Sequence, residues 1–147
     1  MKKILLVTAL AAAGLIAGNA HALTSITGTF NVNINLTSRC LLTAPADLAF
    51  TYTSFQAAAA AATGGAYSVQ CTKDLPYTMS LDQTTVTDAA VGLQYTVTVP
   101  ATGTGSGVAQ NLNVSGNITA NQGGTCSVAT CDNSLSNNKL RTLTLSF

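Results

Sequence analysis

Hydrophobic and polar residues alternate along residues 26–36. The apolar positions, which share one face, are Ile26, Gly28, Phe30, Val32, Ile34 and Leu36, with Thr and Asn between them. A period of two is typical of a half-buried β-strand, because successive side chains point to opposite faces. Thr37-Ser38-Arg39 follows without a hairpin signal. The pattern predicts a strand that either pairs within its own sheet or serves a neighbouring molecule.

The rest of the chain predicts further short strands. Residues 139–147 alternate again, with Leu143, Leu145 and Phe147 on one face. Between these two ends, strands are predicted over residues 48–52, 66–71, 77–81 and 92–99, with one or two more in 108–120. Residues 82–88 are interpreted as a loop or weak strand, and the Gly-rich residues 102–107 as a flexible loop. Thr- and Val-rich strands with Gly-containing turns favour an all-β sandwich.

One alanine run has some helical character. Ala57–Ala62 consists of the best helix former. Six residues are fewer than the ~12–15 that a stable isolated helix needs. A single turn or an irregular crossover is therefore expected there.

Residues 1–22 have the pattern of a secretory signal peptide. Lys2 and Lys3 precede a short apolar run, and Ala20-His21-Ala22 supplies small residues at the cleavage positions. The apolar run is shorter than the ~20 residues that span a bilayer. We expect cleavage before Leu23 and export of one domain.

Charged residues are rare in this chain. They make up 7% of it, against about 25% in typical soluble domains. No basic patch suits a nucleic acid or an anionic membrane surface. So little charge protects poorly against self-association. The composition predicts no nucleic-acid partner and favours packing against copies of the same chain.

The residues for catalysis or metal binding are few. His21 is the one histidine and lies in the predicted signal peptide, and the chain has no Glu. Asp82 and Asp88 could share a loop, where solvated carboxylates are expected. A Ser–Lys dyad through Lys73 or Lys139 stays open, although no serine is singled out. We predict no enzyme, no metal site and no cofactor.

The four cysteines, Cys40, Cys71, Cys126 and Cys131, all follow the signal peptide. An even number in an exported chain implies disulfides. Of three possible pairings, the close spacing of Cys126 and Cys131 favours a local bridge, which leaves Cys40 with Cys71. A zinc site would need all four thiolates and lacks the usual C-x₂-C pairs.

Three of these features together resemble the spore coat protein U-like family. They are the alternating segment that ends at Cys40, the Gly64-Gly65 turn before residues 67–72, and the strand over 140–147. This family includes the major subunits of archaic chaperone–usher pili. The Cys126–Cys131 pair is an addition to the family pattern.

The resemblance implies an immunoglobulin-like sandwich over residues 37–147 that lacks its last strand. A donor strand from a neighbouring subunit, residues 23–36 of that copy, would complete it. The donor residues would be Ile26, Gly28, Phe30, Val32 and Ile34. The acceptor groove, which a chaperone also contacts, would be lined by Leu143, Leu145 and Phe147.

In function, the resemblance implies a structural subunit of a cell-surface pilus that serves adhesion or biofilm formation. Its partners would be copies of itself, a periplasmic chaperone and an outer-membrane usher. A monomeric secreted or surface binding module with a self-complete sandwich stays open as the alternative. A small hydrolase or inhibitor would need a site that the sequence does not reveal.

Overall fold

The computed structural model describes residues 24–147, so the predicted signal peptide over residues 1–22 lies outside the described part. The chain divides into two units, Met1–Asn35 and Leu36–Phe147. In the first unit, residues 24–35 contain no helix or strand. No helix within residues 24–147 is long and apolar enough to cross a membrane.

The second unit contains all the described secondary structure, and all of it is β-strand. The strands are β1 (Cys40–Leu42), β2 (Leu48–Ala49), β3 (Ala60–Ala61), β4 (Thr63–Gly64), β5 (Ala66–Cys71), β6 (Pro76–Leu81), β7 (Thr85–Thr87), β8 (Gln94–Thr98), β9 (Thr102–Thr104), β10 (Gln110–Asn113), β11 (Ser115–Ile118) and β12 (Leu143–Ser146).

The strands form antiparallel sheets in the orders β1-β5-β10, β3-β11-β8-β7, β12-β6-β9 and β2-β4. Val114 alone separates β10 from β11, and its backbone N–H donates to the carbonyl of Gly65. The first half of this segment pairs with β5 and the second half with β8. The first two sheets are therefore connected through one nearly continuous stretch of chain.

The core joins strands from different sheets. Its buried residues are Tyr67, Val69 and Cys71 of β5, Tyr77 and Met79 of β6, Val97 of β8, and Val114. They alternate with more exposed positions along β5 and β6, as period-two strands with one buried face require. Because β5 and β6 belong to different sheets, this arrangement is consistent with a β-sandwich and confirms the all-β prediction.

Most predicted strands are present with shifted ends. Strands at residues 66–71 and 77–81 are confirmed, residues 92–99 contain β8, and residues 108–120 contain β10 and β11. The weak strand over 82–88 is β7. Instead of a helical turn, Ala57–Ala62 contains the edge strand β3, because Ala60 and Ala61 pair with β11.

Two predictions at residues 48–52 and 102–107 need correction. The strand over 48–52 is only two residues long, because only Leu48 and Ala49 pair with β4. The ring of Phe50 packs beside Tyr95, with centroids 5.8 Å apart. The flexible loop over 102–107 begins with β9, which pairs with β6. Gly103 permits this pairing, since a Cβ there would overlap the Tyr77 ring.

The alternating residues 26–36 are not a strand in this chain. No strand is assigned over residues 24–39, and every one of these residues is exposed. A strand is defined by backbone pairing with a neighbour, and among the described residues no strand pairs with residues 26–36. The structure therefore does not show residues 26–36 as an edge strand of the same molecule.

Candidate functional site

The N-terminal segment over residues 24–35 presents large apolar side chains to solvent. Phe30 is 86% exposed, and Ile26, Val32 and Ile34 are also largely exposed. A Cβ added at Gly28 would meet no atom within 4 Å. Exposed apolar side chains on one face of a segment with unpaired backbone are unfavourable in water. The segment therefore has the alternating apolar residues of a β-strand, but no described strand pairs with it.

Strand β12 carries the second set of predicted site residues. Leu143 and Leu145 are half-buried and pack against the core cluster, while Phe147 is mostly exposed. The strand pairs antiparallel with β6, so that Leu143 lies opposite Leu81 and Leu145 lies opposite Met79. Among the described strands β6 is its one partner, so the other edge of β12 has free backbone donors and acceptors.

Strand β1 has the same one-sided pairing. It lies beside β5, and no other strand of the described chain pairs with it. Cys40 packs against the core cluster, whereas Leu41 and Leu42 are exposed. Two strands, β1 and β12, therefore contribute to one core and each keep an open edge.

An open depression of about 600 Å³ lies on the β12-β6-β9 sheet. Its lining is uncharged and consists of Pro76, Tyr77, Thr78, Thr102, Gly103, Thr104, Ser146 and Phe147. Of the predicted acceptor residues, Phe147 lines this depression, whereas Leu143 and Leu145 do not. The lining contains no His, Cys, Asp, Glu, Lys or Arg side chain.

The structure joins the cysteines as Cys40–Cys71 and Cys126–Cys131, the pairing that the spacing favoured. Cys40 and Cys71 are opposite each other in the pairing of β1 with β5. Cys126 and Cys131 close a short exposed loop. In residues 24–147, no group of three or more His, Cys, Asp or Glu could hold a metal ion.

Asp88 differs from the prediction of a solvated carboxylate, because it is only 2% exposed. Its Oδ1 accepts hydrogen bonds from the backbone N–H groups of Ala90 at 2.8 Å and Val91 at 3.1 Å. Its Oδ2 accepts one from the Asn133 amide at 2.9 Å. Burial alone would raise the pKa of Asp88, but these hydrogen bonds favour the charged form and the pKa is lowered.

Asp82 lies in the connection between β6 and β7, and its carboxylate is paired with Arg141. The Arg141 Nη1 atom is 3.2 Å from Asp82 Oδ2, and the backbone N–H of Thr142 donates to Asp82 Oδ1 at 3.0 Å. The hydrogen bond from Thr142 is the main cause of the lowered pKa of Asp82, and the Arg141 charge adds to it. Sequence reasoning missed this cluster, because its members are far apart in the chain and form no motif.

Comparison with known protein families gives a match for part of the chain. Residues 26–94 match the model of the Spore Coat Protein U domain. No curated protein and no solved structure matches the chain. The matched segment includes the exposed apolar residues, the Cys40–Cys71 bridge and strands β5 and β6. This match over residues 26–94 confirms the resemblance to the spore coat protein U-like family that the sequence pattern predicted.

Proposed function

We propose that this chain is a structural subunit of a cell-surface pilus, assembled head to tail by donation of residues 23–36 to the next copy. The Spore Coat Protein U family, whose members are pilus-type surface or coat components, supports this general role. The observation that carries the proposal is the exposure of Ile26, Phe30, Val32 and Ile34, which alternate with polar residues in a segment without an assigned strand.

The donor segment would gain much by entering a neighbour. Burying one large apolar side chain is worth roughly 1.5–3 kcal/mol, so four give on the order of 6–12 kcal/mol before ordering costs. Gly28 fits a shallow position in such a row. Backbone hydrogen bonds along the added strand contribute further affinity, and alternate side chains contribute specificity.

The acceptor would be the open edge of β12. Leu143 and Leu145 already pack on the core there, and Phe147 has room for a neighbouring side chain. The added strand would be the last strand of an immunoglobulin-like sandwich. Before assembly, an exposed edge of this kind invites aggregation, which is the reason for a periplasmic chaperone that covers it transiently and an outer-membrane usher that exchanges it.

The short link between the donor segment and β1 favours donation to another copy over donation within the same copy. Residues 37–39 connect the donor segment to β1 and contain no Gly, Pro or Asn for a hairpin. A contact in which one surface of a copy binds a different surface of the next does not close on itself. Repetition of that contact gives a filament suited to adhesion or biofilm formation.

The test is the gel mobility of the native surface protein in detergent, with and without boiling. Strand-linked polymers give a ladder of multimers that collapses to monomer only on heating. A single unboiled band at monomer mass, from protein shown to be folded, would refute the proposal and favour a monomeric binding module. Boiled samples of the same preparation are the matched control.

A further inference from the structure

The β11–β12 connection, residues 119–142, contains no strand although it leads directly into β12. Its large apolar side chains do not hold it in place, because Val128, Leu135 and Leu140 are exposed, Leu135 by 96%. Its inward contacts are polar instead. Ser136 of this connection and Asp88 are the buried polar residues of the described chain.

One set of polar contacts attaches the middle of the connection to the end of β7. Asn133 donates to the Asp88 carboxylate at 2.9 Å, and the Asn138 amide donates to the carbonyl of Thr87 at 2.9 Å. The Asn138 oxygen accepts from the backbone N–H of Ala89 at 3.1 Å and from the Ser136 hydroxyl at 2.7 Å. The bond from Asn133 is costly to break, because the Asp88 carboxylate is buried and would lose a hydrogen-bond donor.

A second set attaches the end of the connection to the corner after β6. Arg141 contacts Asp82 and also donates to the Gln83 side chain at 2.7 Å and to the backbone carbonyl of Asn138 at 2.6 Å. The backbone groups of Thr142 and Asp82 bond to each other as well. These contacts lie one or two residues before Leu143, where the pairing of β12 with β6 begins.

We propose that the Asn133–Asp88 and Arg141–Asp82 contacts are positioning contacts that keep β12 ordered, with its free edge ready, before a donor strand arrives. This inference rests on the proposed function. A strand with one paired edge has few backbone bonds of its own, so its order depends on how its ends are attached. An acceptor edge that is already ordered lowers the ordering cost of strand addition and speeds assembly.

Hydrogen exchange of the full chain before assembly tests the inference. In Arg141→Gln and in the milder Asn133→Ala, we expect the β12 amides bonded to β6 to exchange at least about tenfold faster, while those of β5 and β10 keep their protection. The matched control is Asp132→Asn, which changes an exposed carboxylate of the same connection whose hydrogen bonds come from the nearby Ser134. Arg141→Lys, which keeps the charge beside Asp82, should restore part of the protection.

Assembly of the same variants is the second readout. Slower polymer formation in Arg141→Gln and Asn133→Ala, at normal export, supports the inference. Unchanged β12 exchange, or equally faster exchange in β5 and β10, would overturn it, and so would loosened β12 with normal assembly. If the wild-type chain forms no polymers, the proposed function fails, while the exchange result still decides whether these contacts order β12.

Discussion

Cys40 lies directly opposite Cys71 in the antiparallel pairing of β1 with β5, and a disulfide bond joins the two residues. The bond closes a loop with a sequence separation of 31, whereas Cys126–Cys131 closes one with a separation of 5. Cross-linking restricts the unfolded chain more when the loop is longer. It also fixes β1, one of the two strands with an open edge, to the centre of its sheet.

We therefore expect the double change Cys40→Ser and Cys71→Ser to lower the free energy of unfolding by about 3–4 kcal/mol. The double change Cys126→Ser and Cys131→Ser should lower it by about 2 kcal/mol. Denaturant unfolding of each variant, in the same assembly form, gives both values. A larger loss from the short loop would contradict the explanation by loop length.

Gly105 is buried where β9 ends, and no side chain fits there. A Cβ would overlap the backbone carbonyl oxygen of Thr72 and crowd Cys71. Because backbone atoms cannot move aside as a flexible side chain can, we expect Gly105→Ala to cost about 1–3 kcal/mol of stability. Gly28→Ala is the control, since its Cβ would meet nothing. Thermal unfolding should show a lowered Tm for Gly105→Ala alone, and equal Tm values would disprove the steric argument.

The sequence predicted what depends on local pattern. Period-two alternation located β5, β6 and β8, because each has one face in the core, and spacing favoured the disulfide pairing that the structure shows. The exposed donor candidates around Phe30 were also visible as a pattern. What could not be predicted depends on partners far apart in sequence. Strand β9 exists through its pairing with β6, and the Asp88 carboxylate accepts a hydrogen bond from Asn133, 45 positions away.

The lowered pKa of Asp88 makes stability depend on pH. In the unfolded chain the pKa of the Asp88 carboxyl is about 3.9, and in the folded chain this pKa is lower. The stabilisation is fully present above the unfolded value and is lost as pH falls through the folded pKa. Asp88→Asn should therefore be less stable than wild type at neutral pH, and the difference should shrink in acid.

Unfolding measured from neutral pH down to about pH 2 checks this, since that range spans the unfolded pKa. Asp74→Asn is a suitable control, because Asp74 is exposed and Asn tolerates its positive φ of 64°. A gap between Asp88→Asn and wild type that stays constant down to low pH would show that the charge of Asp88 is not what stabilises the fold.

Phe30 is the most informative residue of the proposed donor segment. A carboxylate in its place would have to enter an apolar acceptor, which costs far more than the lost burial of one ring. We expect Phe30→Asp to be exported normally and to form no polymers, as judged by the ladder in unboiled gels. Asn31→Asp adds the same charge on the other face of the alternation and should still polymerise. Normal polymers from Phe30→Asp would exclude this segment as the donor.

Mixtures of wild-type and Phe30→Asp subunits separate the donor from the acceptor. The variant keeps β12 intact, so it should accept a wild-type segment but donate none, and each copy should end a filament. Mean polymer length should fall steadily as the fraction of variant rises. The variant should be present once per filament. Asn31→Asp at the same fractions should leave the length unchanged. Polymers of normal length that exclude the variant would mean that donating and accepting are not separate surfaces, and the head-to-tail arrangement would have to be abandoned.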